Sequence, residues 1–196
     1  MSSQKTKDHL VKASAKLASG ERGFMGSNTR FIEVIPSPIG DVTLGSDGKH
    51  LTGLWLDTQK YFMANVVDAA NLEEKNDLPI FQETRKWLEV YFQGKDPGVI
   101  PAVKPQGSEF REKIWHYLTE IPYGKLATYG ELAQRIAAER GMAKMSSRAV
   151  GGAVGHNPIS IIIPCHRVVG SNGNLTGYGG GIERKIQLLK LEGIDY

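Results

Sequence analysis

Ile159-Ser160-Ile161-Ile162-Ile163-Pro164-Cys165-His166-Arg167 is the stretch on which the reading of this chain turns. Residues 159–163 form a short apolar run of the kind that sits in a core. The run ends on the chain's single cysteine, with a histidine directly after it. A free thiol is mostly protonated at neutral pH, and the thiolate is the nucleophile. An adjacent imidazole can accept the thiol proton, and a carboxylate on the far ring nitrogen orients and charges that imidazole. His166 is the base at hand and Glu192 a carboxylate able to orient it. In an extended strand consecutive side chains point to opposite faces, so contact between Cys165 and His166 requires a turn or a bridging water. The alternative is an inert core thiol, the usual fate of a lone cysteine in a reducing compartment. Chemistry alone names no substrate for the pair.

Downstream lie Val168-Val169, a Gly- and Asn-rich loop over 170–181, and a helix over 182–191 that ends at Glu192-Gly193, with Gly193 suited to the position after the cap. Upstream, the spacing predicts three helices. The first follows Ser108 as cap and carries Phe110, Ile114 and Leu118 on one stripe, with Trp115 beside it. After a turn at Pro122-Tyr123-Gly124, the second runs from Tyr129 to about Arg140, and the third from about Ser146 to Gly155. The last two can form a helix-turn-helix unit. The third holds three glycines and one arginine in Arg148-Ala149-Val150-Gly151-Gly152-Ala153-Val154-Gly155. Glycine costs about 1 kcal/mol relative to alanine inside a helix. Such a helix needs its backbone close to something bulky, either DNA or a neighbouring helix.

The N-terminal half reads differently. Residues 31–35 and 42–45 are β-rich runs separated by Pro36, Pro38 and Gly40, which predicts a hairpin, and residues 51–56 follow an Asp47-Gly48 turn as a third strand. A helix over 79–92 carries Phe81, Leu88, Tyr91 and Phe92 at helical spacing, with Asp77 available as cap and Gly94 as stop. The Pro- and Gly-rich stretch 95–107 reads as a linker. The expected organisation is an extension (1–30), an N-terminal α/β domain (31–94), the linker, and a C-terminal domain (108–196). In the extension, Leu10, Ala13 and Leu17 can line a short helix. The fold class is mixed α/β (α+β): a small antiparallel sheet plus a mostly helical domain holding the reactive residues.

Charge adds a hint. Residues 1–30 hold six Lys/Arg against two Asp/Glu, residues 31–106 seven against eleven, and residues 107–196 eleven against eight. A basic C-terminal segment after an acidic middle is compatible with nucleic-acid binding, and equally with ordinary surface charge. One cysteine excludes an internal disulfide and any zinc site with two or more cysteine ligands. The sequence shows neither a membrane-length apolar run nor a signal-peptide h-region, so a cytoplasmic location, nucleoid-associated in a bacterium, is the expectation.

Taken together, Pro164-Cys165-His166-Arg167, the preceding Arg148-Ala149-Val150-Gly151-Gly152-Ala153 and Asn157-Pro158 resemble the O6-alkylguanine-DNA alkyltransferase family, over about residues 110–193. The resemblance implies DNA repair by direct, irreversible transfer of an alkyl group from O6-alkylguanine to Cys165, with O4-alkylthymine as a second candidate substrate. It implies His166 as a water-mediated base, Glu192 as the end of the relay, and Asn157 as the hinge between recognition helix and active-site loop. Arg148 would fill the gap left by a flipped nucleotide. Tyr129 would crowd the 3′ phosphate and protonate the guanine leaving group. Ala149, Gly152 and Ala153 would face the minor groove of duplex DNA, and Pro164, Val168, Tyr178 and Gly179 would line the base pocket. Such a protein needs no cofactor or metal, and a monomer is the simplest expectation.

Two features depart from the family pattern. The stretch 137–145 is several residues longer than in its familiar members, and Gly179 stands where some carry serine or alanine. Three other readings compete: a lesion-binding relative without transfer activity, opposed by the presence of Cys165; a helix-turn-helix transcription factor with an incidental cysteine; and a Cys-His hydrolase, for which no oxyanion pocket is legible. Arg167 can anchor its loop or touch phosphate, and the sequence does not choose.

Overall fold

The computed structural model describes residues 28–66, 68 and 71–196. The expected short helix with Leu10, Ala13 and Leu17 lies outside them. Strands β1 (Phe31–Ile35), β2 (Val42–Ser46) and β3 (Leu51–Leu56) form an antiparallel meander, and the two-residue β4 (Glu73–Glu74) adds to β1 in parallel, giving the order β3-β2-β1-β4. Gly45 and Gly53 face each other across β2 and β3. The fully buried Trp55 ring lies over both, and a Cβ on Gly53 would fall 1.8 Å from it. Glycine here makes room for an indole.

Helix α1 (Pro79–Phe92) follows the sheet, with Leu78 at its N-cap and Pro79 opening the first turn. Asp77, expected as the cap, gives no side-chain cap; its carbonyl accepts instead from Gln82 Nε2 at 3.1 Å. Proline lacks an N–H, so one of the donors a cap would satisfy is missing. Helices α2 (Glu109–Thr119), α3 (Tyr129–Glu139), α4 (Ser147–Gly155) and α5 (Ile182–Leu191) make the C-terminal half. Side-chain caps start three of them: Ser108 for α2, Thr128 in a reciprocal capping box with Glu131 for α3, and Ser146 for α4.

The long turn after α3 has a simple origin. Gly141 takes φ +61°, its N–H bonds to Ala138 O at 3.2 Å, and the Met142 N–H bonds to Ala137 O at 2.8 Å. That pair of bonds is a Schellman stop, which satisfies the last carbonyls of the helix. The same device ends α5, where Gly193 N–H reaches Lys190 O and Ile194 N–H reaches Leu189 O.

One joint positions the site. The Leu54 N–H donates to Pro158 O at 2.9 Å and the Ser160 N–H to Leu54 O at 2.9 Å, so the outer edge of β3 holds the loop that leads to Cys165. Further along that edge, Leu51 pairs with the linker at Ala102 and Lys104. Strand edges left bare invite unwanted pairing; here the edge is used to fasten the two halves. A single apolar cluster runs across the joint, from Leu44, Leu54 and Phe81 to Ile114, Val150 and Ile163. The run 159–163 is buried, as its composition suggests, and forms a turn with Ile161 at φ +69°. Among the described residues no helix is long and apolar enough to cross a membrane.

Candidate active site

Cys165 opens a single 3-10 turn, Cys165–Arg167, after Pro164. That turn, rather than an extended strand, lets two consecutive side chains serve one site. Short β5 (Ala127–Thr128) and β6 (Val168–Val169) pair in parallel beside it and tie the start of α3 to the end of the turn.

Asn157 organises the loop from within. Its Nδ2 donates to Ile163 O at 2.7 Å and lies 3.1 Å from Cys165 Sγ, while its Oδ1 accepts from the Ile159 N–H at 3.0 Å. A buried carboxamide with both ends engaged is rigid. Asn157 thus links the end of α4 to the thiol, as a hinge residue would. Burial pushes the Cys165 thiol up, while the Asn157 hydrogen bond and the nearby Lys185 ammonium pull it down, with burial prevailing.

His166 is wholly buried. Its Nε2 lies 2.6 Å from Glu192 Oε1. An ionised carboxylate only accepts, so Nε2 carries the proton and Nδ1 presents a lone pair. Nδ1 is buried and has no hydrogen-bond partner among the described residues. Burial first, with Arg167 and Lys185 adding to it, lowers the imidazole pKa against the opposing pull of Glu192, which keeps the ring neutral near neutral pH. No hydrogen bond joins Cys165 directly to His166.

Glu192 caps the C-terminus of α5, where the helix dipole disfavours a negative charge. Its surroundings reverse that. Arg167 donates from Nε to Oε2 at 2.8 Å and from Nη2 to Oε1 at 3.1 Å, the Tyr91 hydroxyl donates to Oε1 at 2.8 Å, and the Gly124 N–H donates to Oε2 at 3.1 Å. Burial alone would raise this carboxyl, but His166 and Arg167 bring it down to about 2. Arg167 also donates to Ile121 O at 2.6 Å, so the residue whose role the sequence left open is a buried anchor.

Tyr129, the first residue of α3, points its hydroxyl at the 170–181 loop, donating to Thr176 O at 3.3 Å. Burial and the proximity of Cys165 raise its pKa. Tyr178 and Gly179 line the cleft over Cys165 together with Val154, Asn157, Ser160 and Gln59. Pro164 and Val168, expected in that wall, are buried beside it without lining it.

On α4, Arg148, Ala149 and Gly152 are exposed, whereas Ala153, expected on the same face, is turned into the core with Val150 and Val154. The Trp115 indole N–H bonds to the Ala153 carbonyl at 2.9 Å. A Cβ on Gly152 or Gly155 would meet nothing within 4 Å. Gly152 and Gly155 therefore do not serve a neighbouring helix, whereas Gly151 lies against the Tyr129 ring of α3.

Three residues of the site escaped the sequence reading. Tyr91 counted as part of an apolar stripe on α1, yet its hydroxyl reaches Glu192. Lys185 is completely buried, donates to Val168 O at 2.6 Å, and has its pKa lowered to about 8 by burial. The signal was present: a lysine at helical spacing with the buried Leu188 and Leu189. Gln59 lies about a hundred residues away in sequence, and nothing local marked it. Among the described residues no group of three or more His, Cys, Asp or Glu side chains is placed to hold a metal ion.

Comparison with known proteins agrees with this geometry. Residues 109–194 match the model of the 6-O-methylguanine DNA methyltransferase DNA binding domain, and residues 31–97 that of the ribonuclease-like domain of the same proteins. A methylated-DNA–protein-cysteine methyltransferase of Haemophilus influenzae is 45% identical over 163 residues, covering 82% of this chain and 85% of the relative. Its counterpart in Mycobacterium tuberculosis is 42% identical over 158 residues, covering 81% and 89%. The crystal structure of Mycobacterium tuberculosis OGT in complex with DNA superposes with a TM-score of 0.69 at 39% identity, covering 83% of this chain and 92% of that one. Site geometry, both domain models and relatives spanning most of the chain agree: this chain belongs to the 6-O-methylguanine DNA methyltransferase family.

Proposed function

We propose that this chain is a methylated-DNA–protein-cysteine methyltransferase that takes the alkyl group of O6-alkylguanine in duplex DNA onto Cys165, once per molecule and irreversibly. The observation that carries the reading is the relay: His166 Nδ1, buried and unpartnered beside the only cysteine, with Nε2 fixed on Glu192.

The resting thiol is held protonated by burial, which protects it from adventitious chemistry. The Cys165 proton passes to His166 Nδ1 through a water, and Glu192 stabilises the imidazolium that forms. The sulfur lone pair then forms a bond to the alkyl carbon. The carbon–O6 bond breaks, its electron pair stays on the purine, and the Tyr129 hydroxyl supplies the proton that makes guanine a neutral leaving group. The thioether has no easy route to hydrolysis, so each molecule acts once.

Reaching a base inside a duplex requires flipping its nucleotide, at a cost of a few kcal/mol. Arg148, exposed at the start of α4, enters the vacated stack and offsets part of that cost. The open backbone at Gly152 and Gly155 lets α4 approach the floor of the minor groove. The protein acts as a monomer in this scheme.

Intact mass after incubation with duplex DNA carrying one O6-methylguanine, beside a Cys165→Ala control, tests the reading. The expected result is a gain of one methyl in place of one hydrogen, confined to Cys165 and stopping at one per protein. Folded protein that binds the lesion without any gain would instead be a binding-only relative.

A further inference from the structure

The turn after β3, in the N-terminal half, reaches the cleft over Cys165 and is held there from three sides. The Lys60 N–H donates to Gly179 O at 2.8 Å, on the 170–181 loop. Arg184 on α5 donates to Asp57 O at 2.6 Å and to Asp57 Oδ1 at 2.9 Å. The Tyr61 ring stacks on His156, just past α4, with centroids 3.8 Å apart. The turn also carries backbone strain: Thr58 has φ +61° and Met63 φ +52°. A β-branched residue in the left-handed region is a genuine outlier, and such strain persists only where the surroundings enforce it.

Gln59 sits between these tethers. It is 7% exposed. The Leu56 N–H donates to its Oε1 at 2.8 Å, and the Ser160 hydroxyl does so at 3.3 Å. A backbone N–H can only be met by the carbonyl end, which fixes the orientation of the carboxamide. Nε2 is then the end left over; it donates to no described group, and Gln59 lines the same cleft as Cys165, Asn157 and Tyr178. An amide fixed through its oxygen, with its N–H end unengaged at the cleft, is placed to donate to a group that enters it.

The chemistry of that partner follows from the cleft. Guanine presents O6 and N7 as acceptors along one edge. Cys165 must meet the alkyl carbon on O6, so Gln59, in the same cleft, faces that edge. O6 is the leaving atom; N7 is the acceptor that keeps its lone pair throughout. Resting on the alkyl-transfer reading above, we infer that Gln59 donates from Nε2 to N7 of the purine and is a substrate-recognising residue supplied by the N-terminal half. As the carbon–O6 bond breaks, negative charge spreads over the purine and this hydrogen bond strengthens. It therefore acts on the transfer step more than on lesion binding.

Gln59→Glu keeps an oxygen for the Leu56 N–H and the Ser160 hydroxyl and removes the N–H donor, adding a carboxylate charge that acts on every substrate alike. The experiment measures lesion affinity and the first-order transfer rate for duplexes carrying O6-methylguanine or its analogue with N7 replaced by C–H. Wild-type protein is expected to transfer roughly 10–100-fold more slowly from the analogue, the worth of one hydrogen bond to a charged group. Gln59→Glu should be slowed more on O6-methylguanine than on the analogue, because the added charge acts on both while the lost donor matters only where N7 is present. Equal wild-type rates on the two duplexes overturn the inference without any variant, so a folding failure cannot shelter it. Equal slowing of the variant on both duplexes overturns it too, by making Gln59 a merely structural residue. No transfer by wild type from either duplex would sink the alkyl-transfer reading instead.

Discussion

Replacing Glu192 by glutamine should weaken the fold in a way that depends on pH with a defined sign. The carboxylate accepts from the buried His166, Arg167 and Tyr91 and from the half-buried Gly124 N–H. Removing its charge leaves the Arg167 guanidinium buried without a counterion, and breaking a buried pair in this way costs about 3–5 kcal/mol. Glutamine keeps one acceptor, so the lower end, about 3 kcal/mol, is expected at pH 7. The carboxyl titrates at about 2 in the fold against 4.5 ordinarily. A carboxyl depressed by folding contributes fully above its ordinary pKa, and the contribution drains away as pH falls toward the folded value. Some 3 kcal/mol is at stake over that window, of which about 2 is gone by pH 3. The remaining carboxylates titrate in both proteins and cancel in the difference. Urea unfolding of wild type and Glu192→Gln at pH 7, 5 and 3 should therefore show a gap constant from 7 to 5 and narrower by about 2 kcal/mol at 3. A gap that stays constant down to pH 3 would refute the placement of the charge. Alkyl transfer by the same variant should fall on the order of 10²–10⁴-fold, since His166 loses the partner that fixes its protonation.

Two further outcomes follow from the geometry. Because burial lowers the His166 pKa, the transfer rate should hold as pH drops through the range where a free imidazole protonates and fall only at more acidic pH; a midpoint at or above 6.5 in single-turnover assays contradicts a neutral buried base. Gly152→Ala places a methyl in open space inside α4, so thermal or urea unfolding should show a gain of about 0.5–1 kcal/mol, while affinity for lesion duplex drops if that face seats on DNA; unchanged duplex affinity would place the DNA elsewhere.

The elements of this fold were legible because their signals are local. Alternating apolar runs separated by Pro and Gly gave the meander, and Ser108, Ser146, Gly94 and Gly193 mark helix ends by chemistry that acts within a few residues. The family could be read from the order of short motifs around Cys165. Asp77 misled because a cap is decided by where the first free N–H points, and Pro79 changed that. The burial of the run 159–163 was legible in its composition, but its backbone form was not; that was decided by Leu54 N–H and O at the edge of β3, a hundred residues earlier.

The sequence by itself determined the reactive atoms: one thiol, the imidazole beside it, and a carboxylate after the last helix. Tertiary structure decided what each can do. Which His166 nitrogen is basic depends on Glu192 meeting Nε2, and whether Glu192 stays ionised depends on Arg167 and on Tyr91 from the other half of the chain. The exposed face of α4, the inward turn of Ala153 and the arrival of Gln59 at the cleft are likewise set by packing. Hydrogen bonds and burial act over a few ångströms in space, and only the fold says which residues those ångströms contain.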